Sequence, residues 1–336
     1  MFNRMPPSLA GPLLALLAFA LFATHDVVVK GLGAHYSSFQ IIFFSVLLGF
    51  PLATVMLMRD PTPGTLRPVH PWWTALRTVA GVSALMGAFY AFSNLPLAQV
   101  YALIFASPLL VTVLSIPILG ERVGLHRWAA VAAGLIGVLV VLRPWNVDNL
   151  TLGHAAALLT AIGSSTASVV VRKIGRDERG VVLLLYPMVA NFVLTGAMLP
   201  LVYRPMEAIH LGMVAAVAAL AFAAGLLMIS AYRLGEAATV APMQYSQIIW
   251  AAIFGALLFN ERPDTMTWIG AAIIIASGLY IVLRESMGGG SRVQPVGGYR
   301  TRMENVAMPR IPALLRLQAN RMPAGYEALA KRTPKQ

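Results

Sequence analysis

Cysteine is absent from all 336 residues, so disulfides, thiolate nucleophiles and thiolate metal sites are excluded at once. Charge is scarce as well: Asp, Glu, Lys and Arg make up 11% of the chain, against about a quarter of an ordinary soluble domain. Acidic residues number only 13, and of these Asp26 alone falls well inside a long apolar run. Three motifs that announce chemistry are missing: H-E-x-x-H for a zinc hydrolase, G-x-x-x-x-G-K-[ST] for cradling nucleotide phosphates, and paired carboxylates at helical spacing within an apolar segment. These absences weigh against a soluble enzyme, a self-contained ATP-driven pump and a membrane-embedded transferase built on acidic metal ligands. No cofactor or metal site is expected.

What the chain does have is apolar length. Hydrophobic residues are 58% of it and the mean hydropathy is +0.73. Read from charge to charge, nine uncharged intervals approach or exceed the roughly 20 residues that cross hydrocarbon. The longest, residues 78–120, is too long for one helix, and Ser93-Asn94-Leu95-Pro96 supplies polar and proline residues that break it. Ten spans result: 8–30, 36–58, 72–93, 98–118, 125–142, 151–172, 181–202, 210–232, 238–259 and 265–284. They lack the period-two alternation of barrel strands, and a lipid-exposed backbone must satisfy its own hydrogen bonds, so the expected fold class is an all-α polytopic membrane protein. An Ala18-Phe19-Ala20 triplet raises the question of a cleaved signal peptide, but the apolar run continues past it, which favours a retained first helix.

The net charge of +12 invites a nucleic-acid reading, yet the basic residues flank the spans or fill the C-terminal stretch, so they read as orientation charge and no nucleic-acid partner is expected. With the N-terminus in the cytoplasm, twelve Lys and Arg fall on the inner side, from Arg4 to Arg284, and four fall outside: Lys30, Arg143, Arg204 and Arg262. That asymmetry places both termini in the cytoplasm. Residues 285–336 carry nine Lys or Arg with six Gly and five Pro and no sustained period, the composition of a basic, disordered cytoplasmic tail. Within it, Leu314, Leu315 and Leu317 interleave with Arg310, Arg316 and Arg321. A solvated tail and contact with anionic membrane lipid are the two readings.

The chain repeats itself at an offset of 140 residues. Ala98-Gln99-Val100 aligns with Ala238-Thr239-Val240, Glu121-Arg122 with Glu261-Arg262, and Trp128 with Trp268. Two five-helix units follow, at 8–142 and 151–284. Because five is odd, the second inserts upside down relative to the first, the plan on which many secondary transporters alternate access to a midplane site.

On these residues the sequence resembles the EamA-type branch of the drug/metabolite transporter superfamily. The resemblance spans 8–284 and is carried by the 5+5 plan and two stretches: Leu95-Pro96-Leu97-Ala98 through Ser107-Pro108 to Leu119-Gly120-Glu121-Arg122, and Phe259-Asn260-Glu261-Arg262 leading to Trp268-Ile269-Gly270. It implies transport of a small organic metabolite across the bacterial inner membrane, with an exporter of toxic compounds as the alternative. Many relatives have an Arg early in the second helix; Ser45 stands there in this chain, which weakens any inference of an anionic cargo held by such an Arg.

Polar residues within the spans are the candidates for a site, since an amide or hydroxyl in hydrocarbon must find partners. Tyr90 in span 3, Tyr101 in span 4, and Gln244, Tyr245, Gln247 and Trp250 in span 9 are the expected substrate-binding residues, lining a cavity for a neutral, zwitterionic or amphipathic solute, planar bodies included. Interhelical hydrogen bonding is the competing explanation for each. Glu121, Arg122, Glu261 and Arg262 read as structural pairs joining helix ends. His25, Asp26 and Lys30 form a third group, with Asp26 and Lys30 four apart on one helix face. Three roles compete for them: Lys30 snorkelling to the interface with Asp26 as its partner, contact with a charged end of the substrate, or proton coupling through Asp26.

Overall fold

The computed structural model describes residues 7–58, 66–121, 123–145, 150–175, 177–234 and 240–287, so Arg122 and the tail after Met287 lie outside the described residues. Every regular element among them is helical: α1 (Pro7–Gly33), α2 (Ser38–Met58), α3 (Pro71–Asn94), α4 (Leu97–Ile104), α5 (Ser107–Leu119), α6 (Leu125–Leu142), α7 (Leu152–Ile174), α8 (Gly180–Val202), α9 (Ala208–Leu234), a 3-10 turn at Ala241–Tyr245, α10 (Ser246–Phe259) and α11 (Thr265–Met287). Eight stretches are long and apolar enough to cross a membrane, with α4 and α5 together forming one of them, while α2 and α11 carry the shorter apolar segments Ser38–Thr54 and Thr265–Ile281. The break expected at Ser93-Asn94-Leu95-Pro96 is present, between α3 and α4.

The surface is the reverse of a soluble protein's. Leu257 is 76% exposed, Leu201 79% and Val193 62%, whereas Gln40, Ser165, Ser168 and Thr195 are fully buried. Large apolar side chains facing outward are stable only against lipid. The hydroxyls of Ser165, Ser168 and Thr195 are satisfied locally or across a helix contact. Ser168 donates to the Ser164 carbonyl at 2.8 Å, and Ser165 donates both to the Ala161 carbonyl at 2.5 Å and to the Ser107 carbonyl of α5 at 3.0 Å.

The expected fourth and ninth helices are both interrupted. Pro108 has no N–H to give the Ile104 carbonyl, so α4 ends there; the Ser107 hydroxyl takes that carbonyl instead, at 2.6 Å, and α5 restarts with proline in its first turn. In the second half a 3-10 turn containing Pro242 precedes α10, and Ser246 donates to the Met243 carbonyl at 2.7 Å. Both α5 and α10 end on a left-handed residue, Gly120 (φ 73°) and Asn260 (φ 54°), the two residue types that tolerate it best. The next N–H, of Glu121 or Glu261, then closes back six residues onto the Ser115 or Gly255 carbonyl, at 3.4 and 2.9 Å. A left-handed cap followed by this backbone closure thus sets the position of each glutamate.

The two halves pack on each other reciprocally. The most extensive helix contacts are α3 with α7, α1 with α9, α6 with α11 and α2 with α8. Each of these contacts joins a helix of the first half to a helix of the second. Close approach is built into the α6–α11 contact: a Cβ on Gly137 would lie 2.9 Å from the Gly270 carbonyl oxygen, and one on Gly270 would lie 2.7 Å from that of Gly137. Small residues let two helix backbones touch where no hydrophobic effect drives them together.

Candidate functional site

One face of α3 is stripped of bulk and polarity at helical spacing, Gly81, Ala84, Leu85 and Ala88, before it ends in Phe89 and Phe92. Opposite it stand Thr160, Ser164 and Ala167 of α7, Val217, Ala218 and Phe222 of α9, and residues of α1, α2 and α8. Between them lies a partly open pocket drawn from both halves of the chain, the kind of concave apolar site that small organic solutes occupy. Its wall is almost free of charge. Of the residues lining it, Asp26 is the one acid, and none is Lys or Arg.

Asp26 is 1% exposed. His25 Nδ1 lies 2.8 Å from its Oδ1, and the Tyr101 hydroxyl, itself buried, donates to Oδ2. The His25 ring stands edge-on to Phe89 at 6.0 Å. A carboxylate taken out of water requires such partners, since the cost of an isolated charge at this depth is several kcal/mol, of order 3 at a helix centre on insertion scales. The arrangement holds a negative charge, or a carboxylate–imidazole pair that exchanges a proton, at the edge of an aromatic and apolar chamber.

Lys30 does not pair with Asp26 despite sharing its helix face. Its ammonium reaches Glu261 at 2.8 Å and the Leu95 carbonyl at 2.5 Å, with the Phe259 ring 5.4 Å away. Of the three roles weighed for this group, a Lys30–Asp26 pair is absent among the described contacts, and Lys30 instead ties α1 to the α10–α11 turn. The two Glu-Arg junctions also differ from expectation: Glu121 is bound by Arg172 of α7 at 2.6 Å, Glu261 by Lys30, and Arg262 is exposed. Arg122 lies outside the described residues.

The remaining sequence candidates divide cleanly. His25 and Asp26 line the cavity and Tyr101 is tied to it through Asp26. Tyr90, Gln244, Tyr245, Gln247 and Trp250 are not among its lining residues. Tyr90 sits on the opposite face of α3, 38% exposed. Tyr245 is buried against Phe105 in the main apolar core, Gln247 is 3% exposed, and Trp250 stacks on Phe254. Packing against neighbouring rings, rather than a place on the cavity wall, is what Tyr245 and Trp250 have. The lining residues that sequence reasoning missed include Phe22, Phe89, Phe92, Thr160 and Ser164. The spacing Gly81, Ala84, Ala88, Phe92 on α3 was the available signal, small side chains at helical intervals that leave room. Ser45 also lines the cavity, and its buried hydroxyl has no hydrogen-bond partner among the described residues.

A helical bundle of apolar spans, made of two similar halves that enclose a solute-sized chamber, has the organisation of a membrane transporter. The chain belongs to the EamA-like transporter family: the family profile matches residues 9–143 and again 151–283, two copies at the boundaries of the internal repeat. It thereby falls in the drug/metabolite transporter superfamily. It is similar to the pseudopaline exporter CntI of Pseudomonas aeruginosa, with 26% identity over 80% of this chain and 94% of that protein. It is similar also to a riboflavin transporter of Rhizobium johnstonii, with 27% identity over 83% of this chain and 92% of the relative. An S-adenosylmethionine uptake transporter of Rickettsia bellii shares 25% identity over 80% of this chain and 92% of its own length. One crystal structure, 21% identical, superposes with a TM-score of 0.55 over 82% of this chain and 97% of that one, which supports the fold.

Proposed function

We propose that this protein is a secondary transporter of the inner membrane that carries a small organic metabolite by alternating access of two inverted five-helix repeats, with ten spans and both termini in the cytoplasm. Reciprocal helix packing, interruptions at matching places in the two halves and the excess of basic residues on one side all support that reading. The relatives are named for small metabolites and include both an exporter and an uptake transporter, so both directions are part of the test.

The observation that carries the site is Asp26. A buried carboxylate on the wall of an otherwise uncharged chamber attracts a positively charged group far more strongly than in water, because the low surrounding dielectric screens it little. The cargo of this reading has a protonated amine or another cationic nitrogen on an apolar, planar or amphipathic body that fits among Phe22, Phe89, Phe92 and Phe222. A zwitterion meets the same description. Protons are the coupling ion: cargo and the proton of the His25–Asp26 pair compete for one negative charge, so entry of one displaces the other. An exporter of toxic amphipathic compounds is the second reading, favoured by the apolar lining. The inner-leaflet lipid is a partner through the basic tail.

The test compares metabolites inside and outside cells that overproduce the chain or lack it, followed by the Asp26→Asn variant. The expected result is a compound redistributed across the membrane unmodified, driven by a pH difference in the parent and only exchanged down its gradient by the variant. A new chemical species would overturn transport in favour of catalysis. Proton-driven accumulation undiminished in Asp26→Asn would remove Asp26 as the coupling site.

A further inference from the structure

Several ion pairs among the described residues join the halves, and two of them are mirror images in the order of the chain. Lys30, in the last turn of the first helix of repeat one, holds Glu261 in the turn after the fourth helix of repeat two. Arg172, in the last turn of the first helix of repeat two, holds Glu121 in the turn after the fourth helix of repeat one. Each is reinforced by further contacts. Lys30 also donates to the Leu95 carbonyl, and Glu261 accepts the Leu97 N–H at 3.0 Å. Beside Arg172, Lys173 donates to the Ile118 carbonyl at 2.6 Å and lies over the Trp73 ring at 4.2 Å.

The pairs sit at opposite ends of the bundle. One end of α3 is marked by Trp73, under Lys173, and the other by Leu95, under Lys30. Twenty-two residues of α-helix separate them, about 33 Å at 1.5 Å per residue. The cavity face of α3, Gly81 to Phe92, lies between. All four charged side chains are largely but not wholly shielded, between 10% and 17% exposed. Pairs at such depth are strong enough to hold helix ends together, yet water can reach and solvate the separated charges.

We infer that the Lys30–Glu261 and Arg172–Glu121 pairs are opposing latches, each closing the cavity to one face of the membrane and each parting when the cavity opens to that face. The inference rests on the alternating-access reading proposed above. A transporter must never be open at both ends together, and inverted repeats give it two versions of one fastening, so that opening one end leaves the other shut. Cargo communicates with one latch directly: Lys30 is one helical turn beyond Asp26, and a movement of α1 at the carboxylate is passed along a rigid turn to the ammonium.

The naturally cysteine-free chain permits a direct test. A single cysteine at Ala218, on the cavity wall, is labelled with an impermeant thiol reagent in right-side-out and in inside-out vesicles. Glu261→Gln is expected to raise the labelling rate from the outer face about tenfold and lower it from the inner face, within the range of couplings seen for partners in one network. Glu121→Gln is expected to do the reverse. Lys30→Gln should shift the ratio in the same direction as Glu261→Gln, and the double variant no further; this variant also stands in if Glu261→Gln fails to reach the membrane. Variants that leave both rates within twofold of the parent, or that shift them in the same direction, overturn the latches while a parent cysteine reached from both faces keeps alternating access standing. A cysteine reached from one face only, in the parent and in all variants, overturns alternating access itself.

Discussion

Phe105 and Tyr245 meet edge to face, their ring centroids 5.1 Å apart and their planes at 82°. The repeat offset makes them equivalents, and each lies where its helix is interrupted, so the two broken helices touch at corresponding points. Edge-to-face rings contribute about 0.5–1.5 kcal/mol beyond their buried area. A double-mutant cycle on Phe105→Ala and Tyr245→Ala, read by thermal or denaturant unfolding of the purified protein, is expected to return a coupling in that range. Strict additivity would mean that the rings are neighbours without being partners.

Tyr101 separates the site from its surroundings. Tyr101→Phe removes the hydroxyl that donates to Asp26 while keeping the ring. Hydrogen bonds to charged groups contribute about 1.5–3 kcal/mol, so cargo affinity or the pH dependence of transport should change by roughly tenfold or more. Gln247→Ala and Trp250→Ala, at residues outside the cavity lining, should alter affinity less than twofold. Transport assays in which Gln247→Ala or Trp250→Ala has the larger effect would return the binding site to α10.

Gln40 has a structural role that its sequence context hides. Fully buried, it donates to the Arg204 carbonyl at 2.6 Å and accepts the Arg204 N–H at 2.9 Å, pinning the start of α2 to the end of α8. Gln40→Ala leaves both backbone groups without these partners and should cost about 1–3 kcal/mol for each group that stays dry. The variant is expected to melt several degrees below the parent while its cargo affinity, measured below that temperature, is unchanged.

Topology has an independent check. Single cysteines at Leu150 and Glu207 are expected to react with impermeant thiol reagents added to intact cells, and single cysteines at Leu66 and Asp177 to be protected until the cells are opened. The opposite pattern would reverse the orientation deduced from the basic residues, and reaction at all four would count against the inverted arrangement.

The sequence by itself determined the helical class, the family and several of the places where helices begin and end. Those features are local: apolar length against hydrocarbon thickness, proline that withholds an N–H, and glycine or asparagine where φ turns positive. Ser93-Asn94-Leu95-Pro96 ends α3 as its composition requires, and Gly120 and Asn260 close the two matching helices because few other residues accept that backbone. The 140-residue repeat was legible in a handful of identities. Asp26 stood out for the same local reason, a carboxylate with no water at hand.

Partnership was decided only in three dimensions. Asp26 and Lys30 share a face of α1, which made them natural partners by spacing, yet Tyr101 and His25 take the carboxylate and Glu261, 231 residues further on, takes the ammonium. Polar residues in a bilayer protein must turn inward, and the inward side holds both helix contacts and cavity walls. Sequence periodicity identifies the inward faces without distinguishing the two. The tertiary packing does so because room for a solute is left by what is small, Gly81, Ala84 and Ala88, and absence of bulk on one helix becomes a cavity only where the facing helix also fails to fill it.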